Sequence, residues 1–161
     1  MNACLYGFAI VVALCCAVLT PGFAQRDSTS QTQDAPPGWK LVWADEFNRN
    51  GPPDPKSWTF ETGFVRNEEA QWYQAANAHC EHGMLIIEAK RERKPNPNFE
   101  AGSKDWRRNR EFAEYTSACL KTEGLHSWQY GRFEMRARID TRAGLWPAFW
   151  TLGVEGEWPA N

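Results

Sequence analysis

Two kinds of side chain in this chain are spaced so that they could do chemistry: neighbouring carboxylates and closely set tryptophans. Two carboxyl groups about 5 Å apart can act as a nucleophile and an acid/base pair. Glu68 and Glu69 are adjacent, and Glu155 and Glu157 lie two apart. Successive side chains of a strand point to opposite faces, which separates Glu68 from Glu69. Glu155 and Glu157 would share a side, but Gly153-Val154-Glu155-Gly156-Glu157 reads as a turn. No catalytic residue is therefore assigned. The tryptophans are more informative. Gly144-Leu145-Trp146-Pro147-Ala148-Phe149-Trp150-Thr151-Leu152-Gly153 is a glycine-bounded apolar run. In a strand, Trp146, Ala148, Trp150 and Leu152 face one way. The small Ala148 between two large rings leaves an open floor that a packed core would fill. Flat aromatic faces of this kind suit stacking on sugar rings. Trp146 and Trp150 are candidate ligand contacts, whereas Trp43 and Trp58 read as core.

His79, Cys80 and His82 also invite attention as metal ligands. Alternation places Cys80 with His82 and turns His79 away, and no fourth donor is near. A transition metal is not assigned.

The elements that must position these residues are short strands. Lys40–Trp43, Ser57–Glu61, Gln71–Gln74 and Tyr115–Lys121 carry strand character. Ala78–Glu81 and Met84–Lys90 flank His82-Gly83, a compact hairpin signal. Gln129–Ile139 alternates, with Phe133, Met135, Ala137 and Ile139 on one face and Arg132, Glu134, Arg136 and Arg138 on the other. The polar stretch from Arg91 to Phe112 is a long structureless connection, and such connections are often functional. Many short strands with glycine and proline turns predict an all-β protein, an antiparallel β-sandwich.

The chain has 161 residues, which accommodates one domain. Leu5–Leu19 is almost wholly apolar, and Gly22-Phe23-Ala24 supplies small residues for signal cleavage. Residues 1–24 are read as a secretory signal, 25–37 as a flexible polar leader, and 38–161 as the folded domain. Export implies a secreted or periplasmic protein with no membrane association once the signal is removed. The net charge of −2 comes from mixed acids and bases, and no basic patch points to nucleic acid. Two of the five cysteines, Cys80 and Cys119, lie beyond the signal. Spacing leaves open whether they pair.

Five segments carry a family resemblance. Trp43-Ala44-Asp45-Glu46-Phe47, Asn67-Glu68-Glu69-Ala70-Gln71-Trp72-Tyr73, Tyr115-Thr116-Ser117-Ala118, Tyr130-Gly131-Arg132-Phe133-Glu134 and Gly144–Trp150 occur in this order. Together they resemble glycoside hydrolase family 16, laminarinase-like (endo-β-1,3-glucanase) members, over Trp39–Asn161. The resemblance implies a concanavalin A-like jelly roll and retaining hydrolysis of β-1,3 or mixed-linkage glucans by a monomeric enzyme. It places Asn67 on the glycone side of a cleft, where an amide offers donor and acceptor to hydroxyls. Trp146 and Trp150 match an aromatic strand on the concave face. Some members hold a structural calcium. Glu46 and Gly83 occupy matching positions, although Glu46 as a solvated acid is the preferred reading. Family catalysis rests on an E-x-D-x-x-E stretch after a Trp-Pro segment. Here Trp158-Pro159-Ala160-Asn161 comes last, so that stretch is not among these residues. The expectation is the N-terminal part of a polysaccharide hydrolase, inactive by itself. The alternative is a non-catalytic carbohydrate-binding sandwich.

Overall fold

The computed structural model describes residues 35–154 and the backbone of Asn2–Leu5. Most of the signal and leader, and the Glu155–Asn161 end, lie outside the described residues. The chain divides into two compact units, Val11–Glu46 and Met1–Ile10 with Phe47–Asn161.

In the first unit, the Trp39 amide donates to the Pro36 carbonyl at 2.9 Å, a turn that Gly38 completes at φ 85°. Lys40–Trp43, expected as a strand, forms none. A strand must place its backbone groups in a ladder, and no described strand pairs with this segment. Leu41 and Val42 are exposed.

The second unit is built from strands. These are β1 (Asn2–Leu5), β2 (Thr59–Phe60), β3 (Gln71–Tyr73), β4 (Ala78–Glu81), β5 (Met84–Ile87), β6 (Lys94–Pro95), β7 (Phe112–Ala113), β8 (Tyr115–Ser117), β9 (Leu120–Lys121) and β10 (Phe149–Leu152). One 3-10 turn, Ala75–Asn77, interrupts them, and no α-helix occurs among the described residues. A four-stranded sheet has the order β10-β1-β9-β2, and its pairings are antiparallel. β4 pairs with β5, and β6 with β7, also antiparallel. β3 and β8 pair in parallel, a departure from the expected antiparallel sheet. Parallel neighbours need a crossover of a dozen or more residues. The long path from Ala75 to Glu114 supplies one.

Alternation along these strands sorts the core. Val65 and Tyr73 pack with Cys119, Ala148 and Trp150. Their chain neighbours Phe64 and Trp72 turn the other way, against Ala113 and Trp106. The β4–β5 hairpin turns through His82 and Gly83, at φ 53° and 72°. Positive φ at both central residues matches the twist of the flanking strands. Cys80 and Cys119 are both buried and are not bonded to each other.

Gln129–Ile139, for all its alternation, is not a strand. Phe133, Met135 and Ile139 are exposed along with the intervening charges. A half-apolar strand is stable only beside a partner, and no described strand lies against this one. The stretch from Arg91 to Phe112 departs in the other direction. It is ordered, closed at its base by β6 and β7.

Asn77 ties three elements together. Fully buried, it donates through Nδ2 to the Glu88 carbonyl at 3.0 Å and to the Thr116 hydroxyl at 2.9 Å. Its Oδ1 accepts from Gln74 Nε2 at 2.6 Å. Asn77→Ala would remove the donor to the part-buried Glu88 carbonyl and one of the two bonds of the buried Thr116 hydroxyl, which keeps its bond to Glu92. We expect a loss of about 2 kcal/mol in urea unfolding; an unchanged midpoint would show that these bonds contribute nothing net.

Candidate functional site

The polar centre of the second unit grows from residues 61–73. Glu61 is on the run leading out of β2, where its amide donates to the Cys119 carbonyl at 3.0 Å. The Arg66 guanidinium pairs with the Glu61 carboxylate. Its Cζ lies 5.8 Å from the centre of the Tyr73 ring and 5.3 Å from that of Trp150. A cation facing two aromatic rings is held by their quadrupoles. β3 brings a second acid into this centre. The Glu69 carboxylate accepts from the Tyr73 hydroxyl at 2.9 Å and from Gln71 Nε2 at 3.0 Å. Burial, reinforced by the hydrogen bond to Glu69, pushes the Tyr73 phenol well above its ordinary pKa. It therefore stays protonated and acts as a donor.

Glu61 is also shifted upward. Burial is the main cause; the Cys119 hydrogen bond and Lys121 pull down, while Glu69 and Glu123 push up. Both carboxylates are thus tied into structure, Glu61 to Arg66 and Glu69 to Tyr73. Among the described residues, no three His, Cys, Asp or Glu side chains converge as metal ligands.

The sequence-nominated residues are placed as follows. Asn67 is exposed at the turn between Arg66 and β3, in the left-handed region at φ 55°, followed by Glu68 at 54°. Trp150 lies in β10, partly buried against Tyr73 and Cys119. Trp146 is 87% exposed and precedes β10, so strand alternation does not reach it. The two rings are therefore unlike: Trp146 is open to solvent, and Trp150 faces Arg66. Glu46 is exposed, and Gly83 is in the β4–β5 turn. Sequence reasoning missed Arg66, Glu61 and Tyr73. Local alternation gave no signal for them, because it does not say which segments meet.

It also missed the ordering of the 91–112 insert. Asn96, buried, donates through Nδ2 to the Arg107 carbonyl at 2.9 Å and the Arg110 carbonyl at 2.8 Å. Arg107 and Arg110 lie over the Trp106 ring at 4.7 and 5.4 Å, and Arg110 over Phe64 at 5.1 Å.

No family model matches the chain. Curated relatives do. A beta-glucanase from Rhodothermus marinus is 43% identical over 128 residues, covering 76% of this chain and 39% of the relative. A glucan endo-1,3-beta-glucosidase from Cryptopygus antarcticus is 38% identical over 134 residues, covering 76% of this chain and 43% of the relative. Among solved structures, one from work on endo-acting O-glycanases of human gut microbiota is 36% identical with a TM-score of 0.54. It covers 60% of this chain and 36% of that one. By these likenesses the chain is similar to part of beta-glucan-cleaving enzymes, and its described residues are all-β as expected. It is related to the laminarinase-like members of family 16 and matches their N-terminal part. The chain spans about two fifths of the length of these two curated relatives.

The Glu61–Arg66 pair yields a prediction with a definite sign. A carboxyl whose folded pKa is raised contributes stability that is full below its unfolded value and is lost as pH rises through the folded value. Arg66→Met removes the cation paired with Glu61 and should push the Glu61 carboxyl, already raised by burial above the ordinary 4.5, further up. We expect about 3 kcal/mol of destabilisation at neutral pH, shrinking as pH falls towards 4.5. A pH-independent loss in urea unfolding would contradict this.

Proposed function

We propose that the protein to which this chain belongs is an exported, endo-acting hydrolase of β-1,3 or mixed-linkage glucans. In this reading the chain provides part of its sugar-binding floor. The observation that carries the proposal is 43% identity to a beta-glucanase over three quarters of the chain. The exposed ring of Trp146 supplies a stacking face, and the Asn67 amide supplies a donor and an acceptor for hydroxyls. Trp150 acts at the edge of this floor, its ring already engaged with Arg66. Retaining cleavage needs a nucleophilic carboxylate and an acid/base carboxyl. We assign neither role to Glu61 or Glu69, which are committed to Arg66 and Tyr73. The reacting carboxylates of the whole enzyme would come from outside these 161 residues. Export rests on reading residues 1–24 as a signal, whose removal would also take away β1, the strand between β10 and β9.

Glu46 and Gly83, the calcium ligands that the resemblance implies, fall in different compact units, and we propose no calcium site from them. Two oxygens fall short of the roughly six to eight that calcium takes. The residues described here do not make a complete site, and no step is routed through a metal.

The commitment of both central carboxylates also favours a second reading, binding without hydrolysis. Reducing-sugar release from laminarin by the full-length gene product separates the two: release supports the hydrolase, and binding without release supports the other. The sugar floor itself has a direct test. Trp146→Ala should weaken retardation in laminarin affinity gels by roughly three- to tenfold. Its melting temperature should hardly change, because the ring packs on little. Unchanged retardation would remove Trp146 from the floor.

A further inference from the structure

We propose that Arg107 and Arg110 are positioning residues for Asn67, and that the 91–112 insert is a clamp on the turn that presents it. The proposal rests on the reading of Asn67 as a glucan contact.

Asn67 and Glu68 are consecutive non-glycine residues in the left-handed region. Side chains disfavour that conformation, because Cβ crowds the following carbonyl. The turn therefore needs support from outside itself. Within the turn the Glu69 amide donates to the Arg66 carbonyl at 3.1 Å. The insert meets the carbonyls in and beside the turn. Arg110 Nη1 donates to the Glu69 carbonyl at 2.7 Å and Nη2 to the Glu68 carbonyl at 2.8 Å. Arg107 donates to the Val65 carbonyl through Nη2 at 3.0 Å and Nε at 3.3 Å. The planar fork of a guanidinium can bridge two neighbouring acceptors, which an ammonium does not reproduce. Both arginines are fixed from behind. Their backbone carbonyls are held by the buried Asn96 amide, and their guanidiniums lie over Trp106. Asn96 is in turn set by its own amide, which donates to the Glu111 carbonyl at 2.9 Å. A rigid insert thus grips both ends of the strained turn and leaves the Asn67 side chain exposed.

The test uses Arg110→Ala, Arg110→Lys and Asn67→Ala, alone and combined, in the full-length gene product. Laminarin affinity and amide exchange at residues 66–69 are both measured. We expect Asn67→Ala and Arg110→Ala each to lower affinity about tenfold, with little further loss when combined. Arg110→Lys should not rescue, and exchange should rise at 66–69 in both Arg110 variants. If Asn67→Ala lowers affinity and Arg110→Ala does not, or if their effects simply add, the positioning role is overturned. Exchange unchanged in Arg110→Ala would overturn the clamp even if Asn67 proved irrelevant to binding. An unaffected Asn67→Ala with raised exchange in Arg110→Ala would sink the glucan contact, and with it the positioning role. Should Arg110→Ala fail to fold, Arg107→Ala removes the Val65 contact and takes the same readouts.

Discussion

The opposition of neighbouring side chains along residues 64–65 and 72–73 is the constraint on which the rest depends. A pleated backbone cannot send two successive residues to the same side. Trp72 in β3 must therefore face away from Tyr73; Phe64, in a bend rather than a strand, is also turned away from Val65, and each pair needs its own cover. On one side the cover is Trp106 with Ala113. On the other it is Cys119 and the aromatic strand, through Ala148 and Trp150. The insert and the aromatic strand, distant in sequence, are thus brought to opposite faces of one pair of extended segments. Burial of large rings on both faces supplies much of the stabilisation.

The polar centre follows from the same geometry. Arg66 comes one residue after Val65 and reaches back over the rings of Tyr73 and Trp150. Burying its charge is tolerable because Glu61 is beside it and the rings face it. Tyr73 and Gln71, two residues apart, converge on Glu69. Acids that could in principle react are held as structural partners.

Much of this was legible in the chain. The His82-Gly83 hairpin, the strand at Gln71–Tyr73 and the all-β character follow from local pattern, because turn chemistry and alternation are local properties. What could not be read depends on company. Gln129–Ile139 has a strand's alternation, yet alternation states only which residues would share a face; it does not provide the neighbour. The parallel pairing of β3 and β8 was hidden for a similar reason, since direction depends on the path of the long connection. For the site, Asn67, Trp146 and Trp150 were nominated as equals. The structure separates an open ring from one engaged with a guanidinium, a distinction made by Arg66 rather than by spacing.

The grip of the insert on the Asn67 turn is made through main-chain oxygens. Every peptide carries the same carbonyl, whatever side chain it bears. Residues 67 and 68 can therefore be exchanged for others that tolerate the left-handed fold without any loss of grip. The mount and the tool it carries are encoded separately, one in the arginines and Asn96, the other in the side chains at the turn. A lineage built on this arrangement could revise what the turn touches by single substitutions, while the scaffold beneath stayed as it was.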